Sequence, residues 1–134
     1  MIRVVIDTNV LVSTLLTERG AEASVFSFIE SGDLLWCVSE PILAEYRAVL
    51  SRPKFSRIPA ERREEVFRSF ALARIFAPGA TVIESPDEPD NRFLECAEDA
   101  AAEFLVTGNA RHFPKRWKQT RVVNARQFLK AMEE

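Results

Sequence analysis

The segment VVIDTNVLVSTLL, residues 4–16, opens with three β-branched apolar residues, meets a carboxylate at Asp7, and then turns helical. An unbroken apolar run suits a central parallel strand covered on both faces, because a strand with one wet face alternates apolar and polar residues. Val4 to Ile6 therefore predicts a buried strand that ends at Asp7, and Val10 to Leu16 predicts the helix after it. Gly20 breaks that helix. Val25, Phe26, Phe28 and Ile29 carry the next one, which Gly32-Asp33 stops. Leu34 to Val38 reads as a second buried strand. Ser39 is placed to cap a third helix, with Pro41 in the first turn where a missing N–H does no harm. Ile42, Leu43, Tyr46, Val49 and Leu50 form its stripe, and Arg52-Pro53 ends it.

Pro59 opens a helix predicted from Ala60 to about Phe76, with Val66, Phe67, Phe70 and Ala73 on its apolar face. Pro78-Gly79 punctuates, and Thr81 to Glu84 reads as a short strand. A helix beginning near Pro89 carries Phe93, Leu94, Ala97 and Ala101. Phe104 to Val106 is a third buried strand and Arg121 to Val123 a fourth, and Asn124 caps a last helix through Met132. Strands alternating with helices predict an α/β fold. It is one domain over residues 1–134, a central mostly parallel β-sheet flanked by helices on both faces. Sites in such sheets form beyond the carboxyl ends of the strands, at a topological switch point.

The chain has 134 residues, 47% hydrophobic and 28% charged, with a net charge of −2. That charge gives no global attraction to nucleic acid, so such binding needs a local patch. Cys37 and Cys96 stand far apart with no CxxC or His-rich context, which predicts two buried thiols of an intracellular protein. The N-terminal run is interrupted by Arg3, Asp7 and Asn9 and lacks a basic leader, so neither a signal peptide nor a membrane span is expected, and the expected location is cytoplasmic.

Three acids stand out. Asp7 follows the first strand directly. Glu45 lies between Ile42 and Val49 and borders a buried stripe, while Glu40 and Arg47 project the other way. Asp90 precedes Phe93 and Leu94 by three and four residues and so faces inward at the start of its helix. Each has an ordinary structural use: Asp7 as a helix N-cap, Glu45 paired with a nearby arginine, Asp90 as a helix-dipole partner. Together, three inward carboxylates from three segments repel one another unless a hard cation or basic side chains sit among them. All-oxygen ligands without a His or Cys cluster favour Mg²⁺ or Mn²⁺ over zinc. A divalent ion so held supports phosphodiester hydrolysis.

The strings VVIDTNVLVSTLL, SEPILAEYRAVLSRPKF, SPDEPDNRFLECA and FLVTGNARHFP, in that order, resemble the successive motifs of PIN domains, and more narrowly the PIN-domain toxins of toxin–antitoxin systems, relatives of the VapC ribonucleases. The resemblance runs from Ile2 to about Leu129. It implies a Mg²⁺- or Mn²⁺-dependent endoribonuclease with Asp7, Glu45 and Asp90 as its catalytic and metal-ligating acids. It further implies supporting roles for Asn9 and for Thr107, whose hydroxyl is placed to hold Asp7. A homodimer and a cognate antitoxin are also implied. Many members carry a fourth acid where this chain has Asn109, and others place one where His112 stands. Asparagine can ligate through its carbonyl oxygen but brings no charge, which favours one well-bound ion. Asp87 and Asp99 are nearby spares. His112, the sole histidine, is a candidate base.

Arg111, Lys115, Arg116 and Lys118, interleaved with His112, Phe113 and Trp117, suit an RNA-tracking surface, against the alternative of a solvated face with Trp117 on the core. A second basic group, Arg47, Arg52, Lys54 and Arg57, flanks the helix of Glu45 and is placed to touch substrate or an acidic partner. Phe67, Phe70 and Phe76 serve either the core or a dimer or antitoxin surface. Two other functions compete with RNA cleavage. One is a degenerate PIN domain that binds RNA or protein without cutting. The other is an aspartate-nucleophile phosphotransferase, disfavoured because Asn9 stands where a second acid is usual.

Overall fold

The computed structural model describes residues 1–17, 19–79, 81–85 and 88–133. Strand β1 (Ile2–Ile6) lies in the middle of a six-stranded sheet with the order β3-β2-β1-β4-β6-β5. The other strands are β2 (Leu34–Ser39), β3 (Arg74–Phe76), β4 (Phe104–Val106), β5 (Arg116–Trp117) and β6 (Thr120–Val123). All neighbours are parallel except β5 and β6, which form an antiparallel hairpin. Successive strand residues point to opposite faces, and Val4, Val5 and Ile6 are each no more than 1% exposed, so both faces of β1 are covered. The helices that supply the cover are α1 (Thr8–Leu16), α2 (Ala21–Glu30), α3 (Glu40–Leu50), α4 (Ala60–Ser69), α5 (Glu88–Ala100) and α6 (Ala125–Met132). None of the described helices is long and apolar enough to cross a membrane.

Local chemistry sets several of these boundaries. The Ser39 hydroxyl accepts the Ile42 amide at the start of α3, with Pro41 in the first turn. Asn124 and Gln127 form a reciprocal capping box on α6. Gly20 takes φ +113°, open to glycine and strained for other residues, just where α1 gives way to α2. Cys37 and Cys96 are both buried free thiols.

The helix predicted from Ala60 to Phe76 is shorter than its pattern suggests. It stops at Ser69, a 3-10 turn covers Phe70–Leu72, and Arg74–Phe76 pairs with Cys37, Val38 and Ser39 of β2. Val66, Phe70 and Ala73 fit a helical repeat, but the ladder groups of β2 need partners, and strand pairing supplies them. Thr81 to Glu84 is no strand. The Val82 amide is instead held by Glu95 Oε2 at 2.9 Å. In α5 the buried small residues are Ala97 and Ala100, while Ala101 has left the helix at φ 53° and is exposed. Phe70 is buried between Trp36 and Tyr46, with ring centroids 5.9 and 5.5 Å away. Phe67 and Phe76 pack partly buried on the same core, which takes up the aromatic surface considered for a partner.

Candidate active site

From β1 the chain moves outward on one side through β2 and β3, then crosses back to add β4 and β6 on the other. The direction of winding therefore reverses between β1 and β4, and the crevice beyond their carboxyl ends is the switch point of the sheet. Asp7 and Thr107 are the first residues after those two strands. Register pairs Ile6 with Val106, and the Asp7 amide donates to the Val106 carbonyl at 2.9 Å, which carries the ladder one step further.

Side chains continue the join. Thr107 Oγ1 donates to Asp7 Oδ2 at 2.7 Å, and Asn9 Nδ2 donates to the same oxygen at 3.3 Å. The Gly108 amide donates to Asn9 Oδ1 at 3.0 Å and the Asn109 amide to Thr107 Oγ1 at 2.9 Å. A closed set of hydrogen bonds thus fixes Asp7 against the loop after β4. Although Asp7 occupies the N-cap position of α1, its side chain makes no capping hydrogen bond.

Glu45 is tied to the same strand end from the other side. The Thr8 hydroxyl donates to Glu45 Oε2, and the neighbouring Tyr46 phenol donates to the Ile6 carbonyl. No ion pair links Glu45 to an arginine among the described residues. Asp90 sits in the first turn of α5, where the helix dipole favours an acid. That turn is moored by Asn91, whose Oδ1 accepts the Ser85 amide at 2.7 Å and whose Nδ2 donates to the Ser85 carbonyl at 3.1 Å. Ser85 Oγ in turn donates to the His112 carbonyl at 2.9 Å, joining the start of α5 to the loop after β4.

Asp7, Glu45 and Asp90 consequently line one cavity of about 330 Å³. Thr8, Asn9, Asn109 and His112 line it too, as do Val12, Val49, Arg52, Lys54 and Phe55. His112 Nδ1 stands 3.6 Å from Asp90 Oδ2. Burial pushes the Asp7 carboxyl up to about 6; the charge of Glu45 adds to the rise, and the Thr107 hydrogen bond opposes it. Positive charge close to such a buried acid favours its ionised form. Three carboxylates, one of them buried with its pKa raised, are a donor set that fits a hard divalent ion. Among the described residues no three His, Cys, Asp or Glu side chains stand together as a ready metal group, so the fit lies in the shared cavity and the chemistry of its donors.

Other candidates lie elsewhere. Asp99 is exposed on α5 and does not line the cavity; Asp87 lies outside the described residues. Arg111, Lys115, Arg116 and Lys118 are exposed, and none lines the cavity. Lys118 lies over the half-buried Trp117, 5.3 Å from its ring centroid. In the sequence Tyr46 falls only on an apolar stripe, and nothing there assigns a role to Thr8, Ser85 or Asn91. For Thr8, Tyr46 and Asn91 the one local signal is polarity next to a predicted acid; Ser85 has none.

The PIN domain family profile matches residues 3–111. An uncharacterised protein of Methanocaldococcus jannaschii is 27% identical over 111 residues, covering 81% of this chain and 71% of its own. A chain from the crystal structure of VapBC2 from Rickettsia felis, bound to a DNA fragment from their promoter, superposes with a TM-score of 0.64 at 16% identity. That match covers 92% of this chain and 98% of the other, a likeness of fold.

Proposed function

The chain belongs to the PIN-domain family, and from that premise we propose that it is a Mg²⁺- or Mn²⁺-dependent endoribonuclease, the toxin of a toxin–antitoxin pair. One observation carries the reading: Asp7, Glu45 and Asp90, from three separate elements, line a single cavity at the switch point of the sheet. These three would hold the ion, with the Asn109 side chain as a neutral fourth neighbour. When bound, the ion would supply Lewis acidity for attack by water and balance charge on the phosphoryl group. Thr107 and Asn9 keep the Asp7 carboxylate in one orientation, and Thr8 does the same for Glu45. Val12, Val49 and Phe55 exclude water from part of the wall, which strengthens the electrostatics within. A cognate antitoxin belongs to the same proposal, supported by the likeness to a VapBC2 chain, and a homodimer is proposed with it on the family resemblance alone.

Asn109 favours a second reading, a PIN domain that binds RNA without cutting it, because the position brings no charge to the cavity. One experiment separates the two. Wild type and Asp7→Asn are incubated with RNA and titrated with Mn²⁺ or Mg²⁺. Metal-stimulated cleavage, lowered at least about tenfold by the substitution, is expected from losing a key electrostatic contact. Equal cleavage by both proteins removes the proposed site, and RNA binding without cleavage by either selects the second reading.

A further inference from the structure

The cavity that gathers the acids also carries two cations that the acids do not use. Of the basic group around α3, Arg47 lies over the Phe70 ring, 5.7 Å from its centroid, and Arg57 does not reach the cavity. Arg52 and Lys54 do line it. Neither makes an ion pair among the described residues. Two unpaired cations on the wall of an acid-lined cavity are placed to meet an anion from outside.

The backbone beneath them is well fixed. Arg52 precedes Pro53 and is extended, at φ −63° and ψ 143°, as a residue before proline prefers. A 3-10 turn follows over Pro53–Phe55, closed by the Phe55 amide on the Arg52 carbonyl at 3.0 Å. Phe55 is 6% exposed and plugs the turn into the fold, while Lys54 Nζ rests 5.1 Å from the centre of its ring. Both residues thus stand on a turn anchored by Phe55, on the wall of the cavity.

We propose that Arg52 and Lys54 are the RNA phosphate contacts of this site, holding the backbone beside the phosphodiester presented to the three acids. The inference rests on the ribonuclease reading. Polynucleotide phosphates are repelled by Asp7, Glu45 and Asp90, and an ion among those acids neutralises only the phosphate it meets. Flanking phosphates need cations of their own. A guanidinium binds phosphate through two parallel hydrogen bonds and an ammonium as a point charge, and this wall offers one of each. Arg111, Lys115, Arg116 and Lys118, exposed but off the cavity, contribute by long-range attraction.

The test is binding of a fluorescent single-stranded RNA of mixed sequence to Asp7→Asn protein with Mn²⁺ present, so that the RNA stays intact. Adding Arg52→Ala and Lys54→Ala weakens binding by about ten- to a hundredfold, the scale of a lost charged hydrogen bond. It also makes the slope of log affinity against log salt shallower by about 1.4, at 0.7 per phosphate on a single strand. Lys115→Ala with Arg116→Ala and Lys118→Ala removes three charges and costs less. In the cleaving protein the Arg52 and Lys54 substitutions raise KM while kcat stays within about threefold. A swap that keeps both charges, Arg52→Lys with Lys54→Arg, retains most of the binding. Unchanged affinity in the double alanine variant overturns the proposal, and leaves an acidic protein segment as the anion for this wall. So does a larger loss from the Lys115, Arg116 and Lys118 variant, or a swap variant as weak as the alanines. If wild type binds RNA through these residues but never cuts it, the ribonuclease reading fails while the contact assignment stands.

Discussion

Thr107 Oγ1 donates to Asp7 Oδ2 at 2.7 Å, joining residues 100 positions apart across the carboxyl ends of two adjacent parallel strands. The same hydroxyl accepts the Asn109 amide at 2.9 Å, so one oxygen orients both the carboxylate and the loop that follows β4. Thr107→Val keeps the shape and removes both bonds, leaving a buried acceptor and a loop amide without their partner. Thermal unfolding should report a loss of about 1–3 kcal/mol. Mn²⁺ affinity by titration calorimetry should fall about ten- to a hundredfold, as when an outer partner of a metal ligand is lost. Thr107→Ser should restore most of both. A valine variant that binds Mn²⁺ as wild type does would show that the hydroxyl serves the fold alone.

The burial of Asp7 makes a prediction with a definite sign. Its carboxyl is pushed up to about 6 in the fold, against an ordinary value near 4 when unfolded. Between those values the native state holds the proton more tightly, so stability from this group is lost as pH rises through the window and the penalty is complete above about 6. The upper bound is about 3 kcal/mol. Asp7→Asn removes the charge at the cost of reshuffled hydrogen bonds, so the chelator-treated variant should exceed wild type by about 1–2 kcal/mol at pH 8 and lose that advantage by pH 4.5. Urea titrations across this range measure the difference. An advantage that is flat with pH would mean that the charge of Asp7 is compensated without metal.

The central strand and its acid were legible because the signal is local: a short unbroken run of β-branched apolar residues suits a doubly covered strand, and a carboxylate directly at its end stands where such sheets form sites. Glu45 and Asp90 were legible for a similar reason, as acids bordering an apolar stripe at helical spacing. Arg74–Phe76 was not, because its neighbours happened to continue a helical period, and the demand of β2 for a partner is visible only in three dimensions. Tyr46 counted as one more apolar residue of a stripe until its phenol was seen to reach Ile6, 40 residues away. Arg52 and Lys54 were read as part of a basic flank. Only folding separates them from Arg47, which stacks on Phe70, and puts them on the wall of the cavity that the acids line.

That contact from Tyr46 also predicts a split between stability and activity. Tyr46→Phe removes the anchor between α3 and β1 and strands the Ile6 carbonyl in a buried place, costing about 1–3 kcal/mol. Because Glu45 is the adjacent residue, cleavage should fall as well, through displacement of its carboxylate. Glu45→Gln instead leaves the anchor intact. It should keep wild-type stability to within about 0.5 kcal/mol and lower metal-stimulated cleavage at least about tenfold. Paired melting curves and cleavage rates check this. A Glu45→Gln protein that cuts RNA at the wild-type rate would remove that acid from the site.

Asn109 offers the most direct test of how charge in the cavity limits the metal. Its backbone is held by Thr107 and its side chain lines the cavity, so Asn109→Asp adds a carboxylate with almost no change of shape. Affinity for a hard cation rises with the number of charged oxygen ligands, and Mn²⁺ should bind about three- to tenfold more tightly. Without metal the same substitution adds a like charge near Asp7, so the chelator-treated variant should melt lower than wild type and respond more strongly to added Mn²⁺. The two effects have opposite signs and one cause, which a change in loop structure would not reproduce. Titration calorimetry and melting with and without metal measure them together. Unaltered Mn²⁺ affinity would place residue 109 beyond the reach of the ion, and the neutral side chain there would no longer account for a single tightly bound metal.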